Sequence, residues 1–499
     1  MVINLPFSFF DDSVNLSYTE SVKQIVFKLI LVCILGSFCL TAYNPVVNLV
    51  AFSGIVFIYL NTIIKKDCFS LIIQLFFANH YVFGNDKGGL FNIAVLVAML
   101  LCSLSGRKIF TAPSSFSNSF KGLLLILFAF QILSLTSNPH ASIMGKVAGL
   151  LSFSGIILLI YQLSKVPIRK IDIIRFLYIL FLFTCFEFVI SLNQKYNFIN
   201  LNTPLLPKEE ANVEYELDFF RSMGPFMDYE AYAEYSLSLI ALLLPGILSG
   251  SFKKISNKLF YMTVGITIIS FLSIVLTITR SSLFILPVVI IFILFNQNKR
   301  LNLKAIFPYL IIIGVGFAVN LQLKVFDISA FIERSQEMKI KRLSDVTSGS
   351  EINRGEIFAY AFEKIRRTKG LIGEGYFANP PDYNTVHFDT PKPTIGDYHN
   401  LYLSVIVFWG GIGAACFIMI FLISIYKGIL ARRRKGITAF DADMLLGFNT
   451  LFIFFLLNQY KIIFLRESNY TIVILLFLVI YSGLVKKVTS PGFKLVISE

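Results

Sequence analysis

Apolar residues in this chain collect into long runs separated by short polar turns. The runs lie at about 25–40, 46–64, 68–83, 90–105, 120–136, 146–163, 171–192, 229–250, 259–279, 281–295, 304–320, 400–426, 442–458 and 469–485. Most approach the ~20 residues that an α-helix needs to cross a bilayer. The pattern predicts an all-α fold, a polytopic membrane helix bundle with about 14 transmembrane segments, or 12–14 if short runs do not cross. Residues 1–499 then form a single membrane domain. Met1 to Glu20 carry no basic n-region and no cleavage site, so the first span is expected to target the chain.

Two connections break the rhythm. The first, 193–228, is acidic (Glu209, Glu210, Glu214, Glu216, Asp218) and ends in Phe220-Arg221-Ser222-Met223-Gly224-Pro225. The second, 321–399, holds the longest polar run. It re-enters an apolar segment through Asp397-Tyr398-His399-Asn400-Leu401-Tyr402-Leu403, ahead of Trp409-Gly410-Gly411. Inside it, Phe331–Leu343 and Asn353–Lys369 read as helices. In the second, Ile357, Phe358, Ala361, Phe362 and Ile365 form one apolar stripe. Asn353 and Glu356 have capping-box spacing, and Gly370 suits a C-terminal stop.

Charge gives the topology. Basic residues follow the second, fourth, sixth, eighth, tenth, twelfth and last runs: Lys65 and Lys66, Arg107 and Lys108, Lys165 to Lys170, Lys253 to Lys258, Lys299 to Lys304, Lys427 to Lys435, and Lys486 and Lys487. Every second connection is basic. The positive-inside rule puts these clusters and both termini in the cytoplasm and both long loops outside. The net charge of +14 is therefore a topological signal, and no nucleic-acid partner is implied. The 6 cysteines sit in or beside apolar runs without CxxC spacing, so they read as small buried hydrophobes.

Candidate chemistry lies on the outer side. Arg280 stands in Thr277-Ile278-Thr279-Arg280-Ser281-Ser282, between two apolar runs with almost no loop. It is either an interface anchor that snorkels or an anion ligand at the mouth of a cavity. Arg354 falls at the start of a predicted helix, where free N–H groups and a guanidinium suit a diphosphate; a solvated surface arginine is the competing reading. His399 stands where the long loop re-enters the membrane. An ordinary imidazole, with a pKa near ~6.5, accepts a proton from a hydroxyl at neutral pH. Asp397 either orients it or is itself the base. Glu187, Glu230 and Glu234 lie toward the outer ends of their spans, and acids there are functional candidates. Asp441-Ala442-Asp443 looks like a metal-binding DxD but sits in a short cytoplasmic connection without a nucleotide-binding domain around it, so it is set aside.

Three pieces together resemble the O-antigen polymerase and O-antigen ligase superfamily of bacterial envelope enzymes. They are Arg221-Ser222-Met223-Gly224 leading to Ala231-Tyr232-Ala233; Thr279-Arg280-Ser281-Ser282; and Arg354-Gly355-Glu356, Leu371-Ile372-Gly373-Glu374-Gly375, His399-Asn400-Leu401-Tyr402-Leu403 and Gly410 to Gly413. They cover roughly 220–430 in a common order and on a common side. Asp228-Tyr229-Glu230 departs from the asparagine-rich stretch frequent in that family.

The resemblance implies a GT-C-type membrane glycosyltransferase of the bacterial inner membrane, working on the periplasmic face. Its donor would be an undecaprenyl-diphosphate-linked oligosaccharide and its acceptor a sugar hydroxyl. That acceptor lies on another repeat unit for a polymerase, the favoured reading, or on lipid A core for a ligase. His399, Arg280 and Arg354 would be catalytic, and Arg221 and Asn400 would bind substrate. No metal, nucleotide or other cofactor would be needed. Membrane lipid and a polysaccharide chain-length regulator are the further expected partners. A lipid-linked oligosaccharide flippase or transporter is the rival class; it is disfavoured because no internal repeat is visible and the polar candidates crowd one face. A non-enzymatic assembly scaffold would leave the arginine and histidine grouping unexplained.

Overall fold

A chain this apolar must satisfy its backbone polar groups internally, and helices do so within one segment. The computed structural model describes residues 16–41, 44–65, 67–81, 90–105, 112–138, 141–196, 222–226, 229–277, 279–297, 361–366, 369–376, 400–460, 465 and 468–490. Among these the only regular elements are helices. They are α1 (Leu16–Thr41), α2 (Pro45–Ile64), α3 (Cys68–Tyr81), α4 (Leu90–Leu104), α5 (Asn118–Ser137), α6 (Ile143–Leu163) and α7 (Lys170–Tyr196). Then follow α8 (Tyr229–Leu248), the short α9 (Ser251–Ile255), α10 (Asn257–Thr277), α11 (Arg280–Asn296), α12 (Leu401–Arg432), α13 (Ala439–Asn458) and α14 (Ser468–Thr489). The chain is a multi-pass membrane helix bundle.

Each expected span within the described residues falls on a helix. Among the described residues ten helices are long and apolar enough to cross a bilayer, and α3, α4 and α11 are shorter apolar helices. The expected span at 304–320 lies outside the described residues, as does the predicted helix at 331–343. Helices outrun the apolar pattern at polar ends. α12 continues to Arg432, whose guanidinium donates to the Asn296 carbonyl; charged residues such as Lys427 are good helix formers, so hydropathy falls before the helix does. α7 likewise runs on to Tyr196.

The bundle is built around α8, which is almost wholly buried and packs on α10, α13 and α11. α13 and α14 are also mostly buried. α12 packs on α5, α13 and α14, and α1 to α4 form a neighbouring group. Lipid tails are as apolar as leucine, so side-chain hydrogen bonds and close packing hold such helices together. Tyr232 Oη donates to Ser273 Oγ at 3.0 Å between α8 and α10. Tyr481 Oη bonds Asn449 Oδ1 between α14 and α13. The Asn79 and Asn92 carboxamides pair between α3 and α4.

Among the described residues, basic side chains of several connections gather at one end of the bundle. There Lys487 pairs with Asp441 at 2.8 Å, Arg434 donates to the Val488 carbonyl at 2.6 Å, and Lys486 donates to the Pro113 and Ser114 carbonyls. Both acids of the DxD-like triplet are used here. Asp441 also accepts from its capping Thr438, and Asp443 accepts from Ser249. They tie α13 to α14 and to the turn after α8. The cysteines in the described residues are free thiols, buried or half-buried.

Candidate functional site

The opposite end of the bundle holds the motif-bearing segments, and their backbones are stitched together. Ser222–Phe226 is buried against the ends of α7 and α10. Ser222 N donates to Leu276 O at 3.2 Å. Gln194, near the end of α7, accepts from Ser222 Oγ and Met223 N at 3.0 and 3.1 Å and donates to Gly224 O at 2.8 Å. Thr279, just ahead of α11, reaches the Tyr229 carbonyl at the start of α8 at 3.5 Å. Arg280 is the first residue of α11, whose N-cap Thr279 makes no side-chain capping bond. Two residues on, Ser282 Oγ is buried and has no hydrogen-bond partner among the described residues. A helix start with free N–H groups and buried hydroxyls is electrostatically suited to an anion.

The start of α12 meets the same end of α8. Asn400 is its N-cap: Oδ1 accepts from Leu403 N at 3.1 Å, and the residue is buried. Leu401 N donates to Gln459 O at 3.0 Å. Gln459 Nε2 donates to both carboxylate oxygens of Glu234, at 2.7 and 2.9 Å, and Tyr470 Oη reaches the same carboxylate at 3.3 Å. Glu234 is 1% exposed. It lies five residues into α8 from Tyr229, about 7.5 Å along the axis, so the contact sites of Thr279 and of α12 share one short stretch of α8.

A third junction closes the long loop. Beyond helical residues 361–366 the bonding is that of a Schellman-type stop: Lys369 N donates to Arg366 O at 3.1 Å and Gly370 N to Ile365 O at 2.7 Å, with φ 51° at Lys369 and 65° at Gly370. The next residues then lodge in a break in α12. Gly410 has φ 69° and ψ 179°, outside helical values. The carbonyls freed by the break are taken by the loop: Glu374 N donates to Val407 O at 2.7 Å and Gly375 N to Phe408 O at 2.9 Å. Gly411 N donates in return to Gly370 O at 2.7 Å.

Gln131 of α5 clamps this junction from the side. Its carboxamide bonds Tyr376 N and O at 2.9 and 2.7 Å, and its Oε1 also accepts from Trp409 Nε1 at 2.7 Å. Asn138 Nδ2 reaches Glu374 O at 2.8 Å, and Lys364 pairs with the Glu374 carboxylate at 2.8 Å. The Gly373-Glu374-Gly375 turn, part of the resemblance, thus spends its Glu374 and Gly375 N–H groups on α12.

Of the five residues singled out in the sequence, Arg280 and Asn400 are placed, both at this end of the bundle. Arg221, Arg354 and His399 lie outside the described residues, and so does Asp397. Three partners were not anticipated: Gln459 and Tyr470 on Glu234, and Gln131 on Tyr376 and Trp409. The available signal was a polar amide closing or interrupting an otherwise apolar run, as in Asn458-Gln459 and Gln131.

Comparison with known families agrees with the motif reading. Residues 265–418 match the family model described as Wzy_C, O-antigen ligase. That match takes in α11, the long loop, the clasp at Gly410 and the first half of α12. Over that stretch, under a third of the chain, the sequence is similar to the O-antigen polymerase and ligase superfamily of membrane enzymes that assemble glycans. No curated protein and no solved structure matches the chain.

Proposed function

We propose that the protein is a GT-C-type, metal-independent glycosyltransferase. It moves a glycan from a polyprenyl diphosphate to an acceptor sugar hydroxyl at the end of the bundle opposite its basic connections, on the periplasmic side. The observation that carries this reading is the convergence at that end of the segments holding the family-like motifs. Ser222 docks on Leu276, Thr279 on Tyr229, and Leu401 on Gln459, whose side chain bonds Glu234. The family match over 265–418 supplies the class of chemistry.

A diphosphate leaving group needs positive charge where its own charge develops, and preorganised guanidiniums with helix N–H groups supply it without a divalent ion. Arg280, at the uncapped start of α11, is assigned that role, with Arg354 and Arg221 as the other cations. His399 takes the proton of the acceptor hydroxyl, and Asn400 next to it orders the start of α12. Repeat-unit polymerisation is the preferred form of the reaction, because the number of spans and two long outer loops suit it. A ligase acting on lipid A core is the second form.

The test is glycan transfer by purified protein in nanodiscs, with polyprenyl-diphosphate-linked donor and free acceptor, at matched amounts of folded protein. His399→Ala is expected to lower turnover by about 10²–10⁴-fold with donor binding kept. Arg280→Lys is expected to lose most activity, since an ammonium does not reproduce bidentate contact with phosphate oxygens. Wild-type rate should fall as pH drops through the imidazole range near ~6.5, because protonation removes the base. A strong chelator should leave the rate unchanged. His387, mid-loop in Thr385-Val386-His387-Phe388 and away from the motifs, is the control, and His387→Ala should be mild; normal turnover in His399→Ala and Arg354→Ala, with loss in His387→Ala, would move the site elsewhere in the loop. In a deletion strain, single repeats capping the core mark a polymerase, and polymer left on its lipid carrier marks a ligase.

A further inference from the structure

Gln459 belongs to two structures at once. It closes α13 with helical backbone angles, φ −63° and ψ −4°, where the chain turns away toward α14. Its backbone oxygen accepts Leu401 N, one of the amides that the helical ladder of α12 leaves unpaired. Its side-chain amide is held by both oxygens of Glu234 from α8, with Tyr470 of α14 on one of them. The orientation of one residue is thus set by a buried carboxyl and read out at the first turn of another helix.

Capping alone does not call for this. Asn400 already caps α12 through Leu403 N, and Ser404 Oγ bonds back to Asn400 O at 2.8 Å. A buried carboxyl is a costly way to add one more tie, since desolvation must be offset by hydrogen bonds. Such a group is kept where orientation matters more than stability.

We propose that Glu234 is a positioning residue which, through Gln459, sets the register and direction of residues 400–403 at the head of α12. This rests on the reading above in so far as His399, the next residue toward the loop, is the base. With the head of α12 held, the chain enters the reaction site from a rigid anchor, and the substrate hydroxyl meets a preoriented acceptor of its proton.

The experiment compares wild type, Glu234→Gln, Gln459→Glu and the double exchange carrying both, each full-length in nanodiscs. The exchange keeps an amide-to-carboxylate hydrogen bond with donor and acceptor reversed. Two readouts are taken: hydrogen exchange at the Leu401 and Leu403 amides, and the split between kcat and donor KM in the transfer assay. Each single variant is expected to expose the two amides and to lower kcat by about 10–100-fold, with KM within about twofold. The double exchange is expected to restore protection and most of kcat. Asp441→Asn, a buried carboxyl pair at the far end of the bundle, serves as the structural control and should leave both readouts unchanged per folded molecule. The proposal is overturned if Glu234→Gln keeps wild-type protection at Leu401, or if the folded double exchange recovers neither readout. If wild type itself transfers no glycan, the enzymatic reading fails, and hydrogen exchange alone decides whether Glu234 orders α12.

Discussion

At Gly410 the backbone itself demands the residue. Its φ of 69° lies in the left-handed region, and a Cβ there would overlap the Leu371 carbonyl from the returning loop. Gly373 meets the other side of the same contact, where a Cβ would run into the Val407 and Phe408 carbonyls. Neither obstacle is the flexible end of a side chain, so neither can move aside cheaply. Gly410→Ala and Gly373→Ala should each destabilise the protein by more than about 2 kcal/mol. Gly122 in α5 has open space around its Cβ position, and Gly122→Ala should be neutral or slightly stabilising. Thermal unfolding in a fixed detergent compares the three; equal midpoints for Gly410→Ala and Gly122→Ala would contradict the account. Asn400 carries a similar lesson. A side chain whose sequence context suggests substrate contact already devotes its oxygen to the Leu403 amide.

At the scale of elements, α12 is a helix made in two pieces and completed by another part of the chain. Breaking a membrane helix frees carbonyls that have no water to bond, and such breaks persist only where protein re-satisfies them. Glu374 and Gly375 do so here, and Gln131 holds both partners through Tyr376 and Trp409. Gln131→Leu keeps the bulk but strands the Trp409 indole N–H and both Tyr376 backbone groups, at about 1–3 kcal/mol for each unsatisfied group. The expected result is loosening of 369–376 from α12, seen as faster hydrogen exchange at Glu374 and Gly375 while the α8 amides stay protected. Unchanged exchange at those two amides would show that the clasp does not depend on α5.

Across the whole molecule, charge and polar bonding divide the two ends. Lysines and arginines are tied to carbonyls and to Asp441 at one end; buried amides, hydroxyls and Glu234 cross-link the other. Positive charge resists translocation, so the positive-inside rule predicts that the basic end faces the cytoplasm. A reporter fused at Arg433 should be cytoplasmic and one at Tyr383, in the long loop, periplasmic. A cytoplasmic Tyr383 would invert the placement of the site and remove its access to a donor presented outside.

Hydropathy alone located the described spans, because a segment that crosses a bilayer must be apolar along nearly its whole length. The alternation of basic connections is equally local, since it is read from the few residues between one apolar run and the next. Gly370 as a helix stop was legible for the same reason, since capping is decided by a few adjacent residues. The contacts of Gln131, Gln459 and Gly410 were not legible. Each is defined by a partner far along the chain, Gln131 with Tyr376 and Trp409, Gln459 with Glu234. A polar residue in an apolar run announces that it needs a partner, because leaving it unpaired there is costly. Which partner it finds depends on which helices pack side by side, and periodicity along one strand of sequence carries no record of that.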